Sequence, residues 1–522
     1  MRCVREHIGN SRNKFRETQF LRCIDLIPRG YEMQKSLSKR GRVLLLCTIA
    51  IAFSQATLFS RAFAQDTLQQ NVIAGVSCAP SNNATGHVLC LEELANPNGG
   101  SPLLDEVSWQ APNSPLPPLT GIFSEPIEAP GTVDHATAIS MPAGLLTGTA
   151  GCASAVDGIG TVICAIQGSD NGLYGVAIHP QPLGTTSPPV TEAQATPLVP
   201  LLIPGQVIKN FYRYGPPGSA PCTPVYPCTR VSGIGGRPSC AATEFGSGKV
   251  ICAVLVVLQN SLGATINDLI GIAFDPRVPA SSTNPSILGL ANGANFYSNP
   301  SCASSTDPAG VNGVNGGKAF ATCAIVYFQS IVSPNGTVFS NATLFGPSFD
   351  PRSGFDSGVL GVTENASFGQ DPSCAAPDEN KGAVICAIGL GLGSDGFVSN
   401  TMLGFAIDPI HKTTSTMNLG APPSGDGGWT GFGCASPVDP NNTNLVACAG
   451  TTSNNQIVAV SFDPRTNTKT PFEVVPFADP NGSSATFATA PSCVPAKIIN
   501  NQITCVVVDS FNDAIGFAAT VQ

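Results

Sequence analysis

Residues 238–276 read PSCAATEFGSGKVICAVLVVLQNSLGATINDLIGIAFDP and contain a pattern from which the fold can be predicted. Cys240 and Cys252 stand twelve positions apart, on either side of a polar segment with turn residues. Short runs of β-branched residues surround Cys252, which is typical of a strand. A Gly-Ile-Ala-Phe-Asp-Pro box at 271–276 then ends a further strand. The stretch predicts an antiparallel hairpin with a third strand beside it.

The same pattern recurs along the chain. A weaker fourth segment, such as 286–290 or 358–362, follows the box, and successive first cysteines are 59 to 88 residues apart. No stretch has the 3.6-residue apolar period of a helix. Four short strands repeated seven times predict an all-β fold, a seven-bladed β-propeller of four-stranded blades with one disulfide per blade. The further copies of the three segments are at 300–304, 371–376 and 491–494, at 161–166 and 384–388, and at 175–180, 349–351, 404–409 and 460–464.

Sixteen of the 19 cysteines follow residue 64, an even number that suits an oxidising compartment. The two cysteines of a pair are too far apart in sequence for a zinc knuckle, and only one pair encloses a histidine, His87. Cysteines twelve apart would face each other across a hairpin at a separation that a disulfide tolerates. We therefore expect eight disulfides, the eighth in a Pro-rich insert: Cys78–Cys90, Cys152–Cys164, Cys240–Cys252, Cys302–Cys323, Cys374–Cys386, Cys434–Cys448, Cys493–Cys505 and Cys222–Cys228.

The two ends of the repeat region complement each other. After its cysteine strands, the last repeat has one more strand at 514–519, and the chain then stops without a fourth. Residues 67–75 lie where a fourth strand would precede Cys78. We expect this segment to complete the last blade and close the ring, which removes both free edges.

Residues 1–64 have the pattern of a leader, and residues 65–522 form the single propeller. The leader has 12 of the 25 Lys and Arg residues, an apolar run at 43–53 and Ala-Phe-Ala at 62–64. This is the order of a secretory signal peptide. Because a start at Met33 would give a signal of ordinary length, we expect that residues 1–32 are not translated. Cys47 lies inside the apolar run, which disfavours a lipoprotein.

Charge and composition restrict the class of protein further. Charged residues make up 11% of the chain, against 42% hydrophobic ones, which argues against disorder. Beyond residue 64 there are 13 basic and 30 acidic residues, and no basic patch for nucleic acid. With the signal, this predicts a secreted or periplasmic protein that has no membrane span in its mature form and does not bind nucleic acid.

Candidate chemical groups are few. The Asp of the box recurs as Asp275, Asp350, Asp408 and Asp463, where Asp-Pro favours a turn over a ring of ligands. The Asp-containing turns at 169–172 and 394–396 lack the alternating acids of a calcium loop. Histidines are scattered, and no motif of a hydrolase is found. We expect no catalytic residue, metal ligand or cofactor. The arginines beyond the leader are Arg213, Arg230, Arg237, Arg277, Arg352 and Arg465.

The order of the segments resembles the seven-bladed propellers of the Photorhabdus luminescens lectin-like family. The Trp-Thr-Gly-Phe-Gly run at 429–433 is similar to that family's Trp-rich blade motif, and the Leu-Gly turns are similar to its fourth strand. The resemblance implies binding of fucose and related sugars in pockets between blades. The chain has two Trp and seven Tyr residues, fewer than such repeated pockets use, so no pocket residue is transferred.

Three hypotheses of function follow. The first is an exported binding or scaffold protein that recognises carbohydrate, such as glycans or cell-surface polymers, through clefts between blades or the funnel mouth. The second is a propeller hydrolase or lyase that acts on polysaccharide. The third is a purely structural surface protein. A single cavity that gathers Arg, Glu, Asp and Tyr would favour the enzyme.

Overall fold

The computed structural model describes part of the chain, and all of the described residues lie within Phe63–Gln522. The predicted leader, the Cys222–Cys228 bridge and the turn at 394–396 lie outside the described residues. The described residues are 65–69, 76–80, 88–94, 103–109, 134–135, 150–157, 160–179, 194–208, 229–243, 248–278, 285–292, 295–296, 298–306, 319–332, 338–364, 367–377, 382–392, 399–423, 428–437, 444–475, 486–495 and 502–520.

Within these residues the structure has 32 β-strands and no helix, as an all-β propeller requires. The part of the chain described here therefore includes no helix that is long and apolar enough to cross a membrane. Every strand pairs antiparallel with its neighbours, and the strands of each sheet are consecutive in the chain except at the closing sheet.

The first half of the chain contributes the closing strand and four sheets. The closing strand is β1 Gln65–Gln69. The first sheet has β2 Ser77–Pro80, β3 Val88–Leu94, β4 Leu103–Trp109 and β5 Asp134–His135. The second has β6 Ala150–Ser154, β7 Val162–Gln167, β8 Leu173–His179, β9 Gln194–Ala195 and β10 Val199–Leu202. The third has β11 Arg230–Ile234, β12 Ser239–Ala242, β13 Val250–Gln259, β14 Thr265–Phe274 and β15 Ser286–Asn292. The fourth has β16 Asn295–Phe296, β17 Ser301–Thr306, β18 Ala319–Val332, β19 Val338–Asp350 and β20 Phe355–Glu364.

The second half contributes a large sheet and the closing sheet. The large sheet has β21 Ser373–Ala375, β22 Val384–Leu392, β23 Ser399–Asp408, β24 Thr413–Gly420, β25 Trp429–Ala435, β26 Val446–Thr452, β27 Ile457–Asp463, β28 Thr468–Lys469 and β29 Glu473–Val475. The closing sheet has β30 Ser492–Pro495, β31 Gln502–Val508 and β32 Ala514–Thr520, with β1 at its edge.

The number of sheets differs from the prediction. The sequence predicts seven separate blades, but the described strands form six hydrogen-bonded sheets, one of them with nine strands. The reason is local, because β23 and β25 share a single backbone pair, Ser399 with Trp429. This pair joins two hairpin units, each with its own cysteine pair, into one sheet.

The first and the last of the described strands pair as the order of segments predicts. Strand β1 pairs antiparallel with β32, and Gln65 lies opposite Phe517. The strand begins two residues before the predicted segment and ends at Gln69. The N-terminal edge of the ring and its C-terminal edge therefore belong to one sheet.

Seven disulfides staple the first hairpins of the repeats. The two cysteines of each pair lie directly opposite in register, as Cys240 and Cys252 do, and their Cα atoms are 3.9–4.1 Å apart. The second cysteine of each pair is fully buried. Each bridge thus fixes the register of an inner strand, and a one-residue slip would break it.

Neighbouring repeats pack through the third-strand box. The Gly of one box receives a ring from the next: a Cβ at Gly271 would lie 2.3 Å from the Phe349 ring. Gly404 stands in the same relation to Phe462, where the distance is 2.6 Å. Phe349 and Phe462 are fully buried. The repeated Gly and the repeated Phe of the box are therefore complementary halves of one contact, and they build a core between repeats.

Candidate functional site

The candidate site is a central cavity of about 1240 Å³. It is lined by the first strand of each cysteine hairpin, and each of these inner strands contacts the next in a closed ring: β2, β6, β12, β17, β21, β25 and β30, with β30 in contact with β2. Six of the seven stand at the end of their sheet or pair with one other strand, so each has an edge without a partner strand. Main-chain edges and small side chains therefore form the wall.

The Ser of the repeated Ser-Cys motif links five of the seven inner strands to the next one. The backbone N–H of Cys152 donates to Ser77 Oγ at 3.0 Å, and that of Cys302 donates to Ser239 Oγ at 2.9 Å. The last repeat bonds to the first, where Cys78 N–H donates to Ser492 Oγ. Each bond satisfies an N–H that an edge strand would leave open. The remaining pairs of this kind are Cys374 with Ser301 and Cys434 with Ser373.

Two repeats have glycine in place of this serine. A Cβ at Gly151 would lie 2.3 Å from the carbonyl oxygen of Pro238, and one at Gly433 would lie 2.3 Å from that of Pro491. The backbone of the following repeat approaches so closely here that no side chain fits. At the first of these positions Cys240 Sγ lies 3.1 Å from Gly151 O instead. Glycine thus replaces a side-chain link by direct backbone contact.

A polar cluster lies at one end of the cavity. Arg237, Asn299 and Asp371 occupy the same position in three successive repeats, directly before Pro-Ser-Cys. The Asp371 carboxylate accepts from Asn299 N–H at 2.9 Å and from Asn299 Nδ2 at 2.7 Å, and Asn299 Oδ1 accepts from Arg237 N–H at 2.8 Å. Gln370 Nε2 donates to Trp429 O of the next repeat. The cluster runs as an arc along the rim.

Arg237 extends this arc over two further repeats. Its Nε donates to Ala150 O at 3.1 Å, and its Nη2 donates to Val76 O at 2.9 Å. Burial lowers the pKa of Arg237, and the nearby charge of Asp371 opposes this shift. The guanidinium is therefore held at the rim by main-chain carbonyls and not by a carboxylate.

The lining supplies little for acid–base catalysis. Arg237 and Asp371 are its charged side chains, and His, Glu and Tyr are absent from the residues of the described wall. Within the described residues, no three His, Cys, Asp or Glu side chains are placed to hold a metal ion. The arrangement can donate and accept hydrogen bonds and can bind an anion, and it offers a single carboxylate.

The Asp-Pro boxes lie in turns, away from the cavity lining. Asp463 Oδ1 accepts from the backbone N–H of Arg465 and from its Nε, both at 2.9 Å. Asp350 and Arg352 make the same two bonds, and Asp408 accepts from the backbone N–H of Ile410. In these boxes the carboxylate closes a turn two residues on, so the turn interpretation accounts for this part of the pattern.

Arg277 adds a contact between repeats to its turn. It pairs with Asp275 within the box and reaches Asp157 and Thr161 of the preceding repeat. Its hydrogen bonds raise the pKa of Arg277 against the effect of burial. The turn at 169–172 is also explained locally, because Asp170 accepts from Gly172 N–H at 2.9 Å and from the Tyr174 hydroxyl at 2.5 Å.

Trp429, the residue that carries the lectin resemblance, is not available to a sugar. Its side chain is fully buried, and its ring packs on Phe432 and Phe472 with centroids 5.4 and 5.5 Å away. Its Nε1 donates to Gly420 O at 3.3 Å. Trp429 therefore serves the hydrophobic core of its repeat.

Sequence reasoning missed the polar arc. The residues before Pro-Ser-Cys differ between repeats, being Arg237, Asn299, Asp371 and Ala490, and variation inside an otherwise repeated motif is the signal that could have revealed the site. Only the fold shows that these positions are neighbours around one rim.

No protein-family model matches the chain, and no curated protein matches its sequence. Among solved structures, the chain is similar to the BP39L lectin from Burkholderia pseudomallei, at 11% identity over 87% of this chain and 96% of that one, with a TM-score of 0.41. The polysaccharide lyase Uly1 has 8% identity over 86% and 90%, with a TM-score of 0.44. The SapL1 lectin, solved with alpha methyl fucoside, has 12% identity over 78% and 96%, with a TM-score of 0.34. Identities this low assign no function.

Proposed function

We propose that this chain is an exported propeller that binds carbohydrate in its central cavity without changing it chemically. The observation that carries the proposal is the wall of the cavity, which consists of inner-strand edges, serine hydroxyls and the Arg237–Asn299–Asp371 arc. Sugar hydroxyls both donate and accept hydrogen bonds, and main-chain edges offer both partners. This site replaces the clefts between blades that the sequence suggests.

The size of the cavity favours an oligosaccharide over one sugar ring. Its volume of about 1240 Å³ exceeds the roughly 300–1,000 Å³ of most small-molecule sites. The Ser77 and Ser239 hydroxyls already accept a backbone N–H, and each keeps its own O–H to donate. A chain of sugars could therefore contact several repeats at once.

The charged groups of the described wall argue against the hydrolase alternative. Glycoside hydrolases generally use two carboxylates on either side of the scissile bond, whereas the described wall supplies Asp371 alone. Both oxygens of this carboxylate accept hydrogen bonds from Asn299. Asp371 is thus placed to bind a sugar hydroxyl and orient it, but the described wall has no second carboxylate for acid–base chemistry.

We count the nine-stranded sheet as two blades, which gives seven in all. A single backbone pair, Ser399 with Trp429, joins its halves, and each half contributes one inner strand to the ring. In this count each blade has one disulfide, and the number of blades equals that of the seven-bladed lectin-like propellers that the sequence resembles. A structure by crystallography or cryo-electron microscopy would decide between the two counts.

We further propose that the protein is secreted or periplasmic and that its mature chain begins near Gln65. Seven disulfides require an oxidising compartment in most organisms. The leader has a basic segment, then an apolar run, then Ala-Phe-Ala, which is the order of a signal peptide that directs export. N-terminal sequencing of exported protein tests the cleavage near Gln65, and a peptide from residues 1–32 in the precursor would contradict the Met33 start.

A glycan array with labelled, disulfide-intact protein tests the proposed function. We expect binding to at least one class of glycan, with no reducing ends and no unsaturated products released from bound polysaccharide. Released products would establish the enzyme. Silence across the array would overturn the carbohydrate proposal and favour the structural alternative.

A further inference from the structure

Arg237 is a partly buried cation without an ionic partner. Its Nε and Nη2 donate to carbonyls of two other repeats, whereas Nη1 donates to no residue that the structure describes. Asp371 does not form an ion pair with it, although Arg237 is linked to Asp371 through Asn299. Burying an ion is costly unless a counter-charge is supplied. Asp371 lies near enough for its charge to act on this guanidinium, but no carboxylate of the described residues is in contact with it.

The fixed position of the guanidinium favours a ligand over a purely structural role. Two carbonyls fix its plane, so an anion at Nη1 meets a donor that has already lost its rotamer freedom. Arg277, Arg352 and Arg465 have the opposite arrangement, because each is paired with the Asp of its own box. Arg237 thus differs from the arginines that close turns.

Asp371 restricts which anion fits. It is exposed at the same rim, and each of its oxygens, although bonded to Asn299, can accept a further hydrogen bond. A multiply charged anion such as phosphate would be repelled by this carboxylate. In a molecule that has one carboxylate and several hydroxyls, the carboxylate would pair with Arg237 and a hydroxyl would donate to Asp371.

We propose that the cavity takes an acidic sugar, a uronic-acid residue whose carboxylate accepts from Arg237 Nη1 while a hydroxyl donates to Asp371. This inference rests on the proposed carbohydrate function and names the substrate class of the same site. It assigns Arg237 as the residue that selects charge, and Asn299 as the link that holds the two charged groups in place.

The test compares an acidic ligand with its neutral methyl ester. Short oligogalacturonate and its fully methyl-esterified form are titrated into wild-type protein by calorimetry. We expect the acid to bind at least about tenfold more tightly, since a charge-assisted bond is stronger than a neutral one, and its affinity to fall with added salt. Equal affinities for the acid and its ester would overturn the inference and leave the proposed function standing.

Two variants assign the effect to Arg237. R237M should abolish the preference for the acid, and R237K should keep part of it. R230M is the matched control, because Arg230 is exposed on β11 and outside the cavity lining, and it should bind as wild type. A thermal melt checks folding, and if R237M unfolds, the salt dependence of the wild type decides. An unchanged preference in folded R237M would overturn the inference.

A third set of ligands separates this inference from the proposed function. If acetate binds as tightly as oligogalacturonate and R237M loses both, Arg237 is an anion site and the carbohydrate proposal fails. If neither galacturonate ligand binds but the array finds another glycan, the inference fails and the proposed function stands.

Discussion

The backbone N–H of Cys78 donates to Ser492 Oγ at 3.0 Å, across 414 positions of the chain. This bond joins the inner strand of the last repeat to that of the first. The same Ser-to-Cys bond links four other pairs of neighbouring repeats. The closure therefore uses the same hydrogen bond as the rest of the cavity wall. This bond closes the ring of inner strands, and the pairing of β1 with β32 completes the last sheet.

Ser492→Ala should lower the free energy of unfolding by about 1–2 kcal/mol, because it leaves the Cys78 N–H without its acceptor. Ser301→Ala removes the equivalent bond between two consecutive repeats and is the matched control. Denaturant melts of both variants give the comparison. Wild-type stability in both would show that these bonds do not hold the ring.

Gly151→Ala should be far more damaging than a serine loss, because its Cβ would overlap the Pro238 carbonyl oxygen at 2.3 Å. Backbone on both sides prevents relaxation. Gly235→Ala is the control, since the nearest atom to its Cβ is 3.6 Å away. We expect little folded protein for the first and near-wild-type melting for the second. Equal melting temperatures would contradict the close approach of the two repeats.

The double variant Cys374→Ser, Cys386→Ser should lose about 2–3 kcal/mol of stability, since it opens a short loop in the unfolded chain. The blade around it is rich in small residues, so little apolar area compensates. Cys222→Ser is the comparison, because we expect its bridge to lie in a Pro-rich insert that is already stiff. Thermal melts that show a larger loss at Cys222 would mean that the stabilising bridges are elsewhere.

Glu93→Gln should stabilise the protein at pH 7. Glu93 is 5% exposed on β3, and burial raises the pKa of its carboxyl. A raised pKa means that the folded state binds the proton more tightly than the unfolded chain, so the cost of ionisation is absent below the unfolded value of about 4.3 and grows as the pH rises through the folded value. The gain should therefore vanish near pH 4.

Melts of Glu93→Gln across this pH range, beside Glu473→Gln on the partly exposed β29, measure the effect. A variant that is less stable than wild type at pH 7 would show that the ionised carboxylate is bound favourably.

The repeat pattern was sufficient to predict the all-β fold, the cysteine hairpins and the closing strand. Each of these depends on contacts within a repeat or on strand order. The number of sheets was not predicted, because the Ser399–Trp429 pair is a backbone contact with no signature in either residue. The burial of Trp429 was not predicted either, since a Trp-rich motif does not reveal which side chains turn toward the core.

The Arg237–Asp371 arc could not be predicted for a related reason. The three residues of the arc are 62 and 72 positions apart, and their proximity arises when successive inner strands pack around one axis. Their identities carry no motif on their own. The serine of the Ser-Cys motif was visible as a repeat, but its partner lies in a different repeat.

A cavity-filling substitution tests whether glycan binds inside the central cavity. Ser304 is partly exposed in the lining, so Ser304→Trp occupies the volume that a sugar would take. Leu262→Trp is the control, on an exposed turn outside the lining. Calorimetric titration with the glycan that the array selects should show binding lost in folded Ser304→Trp and unchanged in Leu262→Trp. Undiminished binding to Ser304→Trp would place the ligand elsewhere and contradict the proposal that glycan binds in the central cavity.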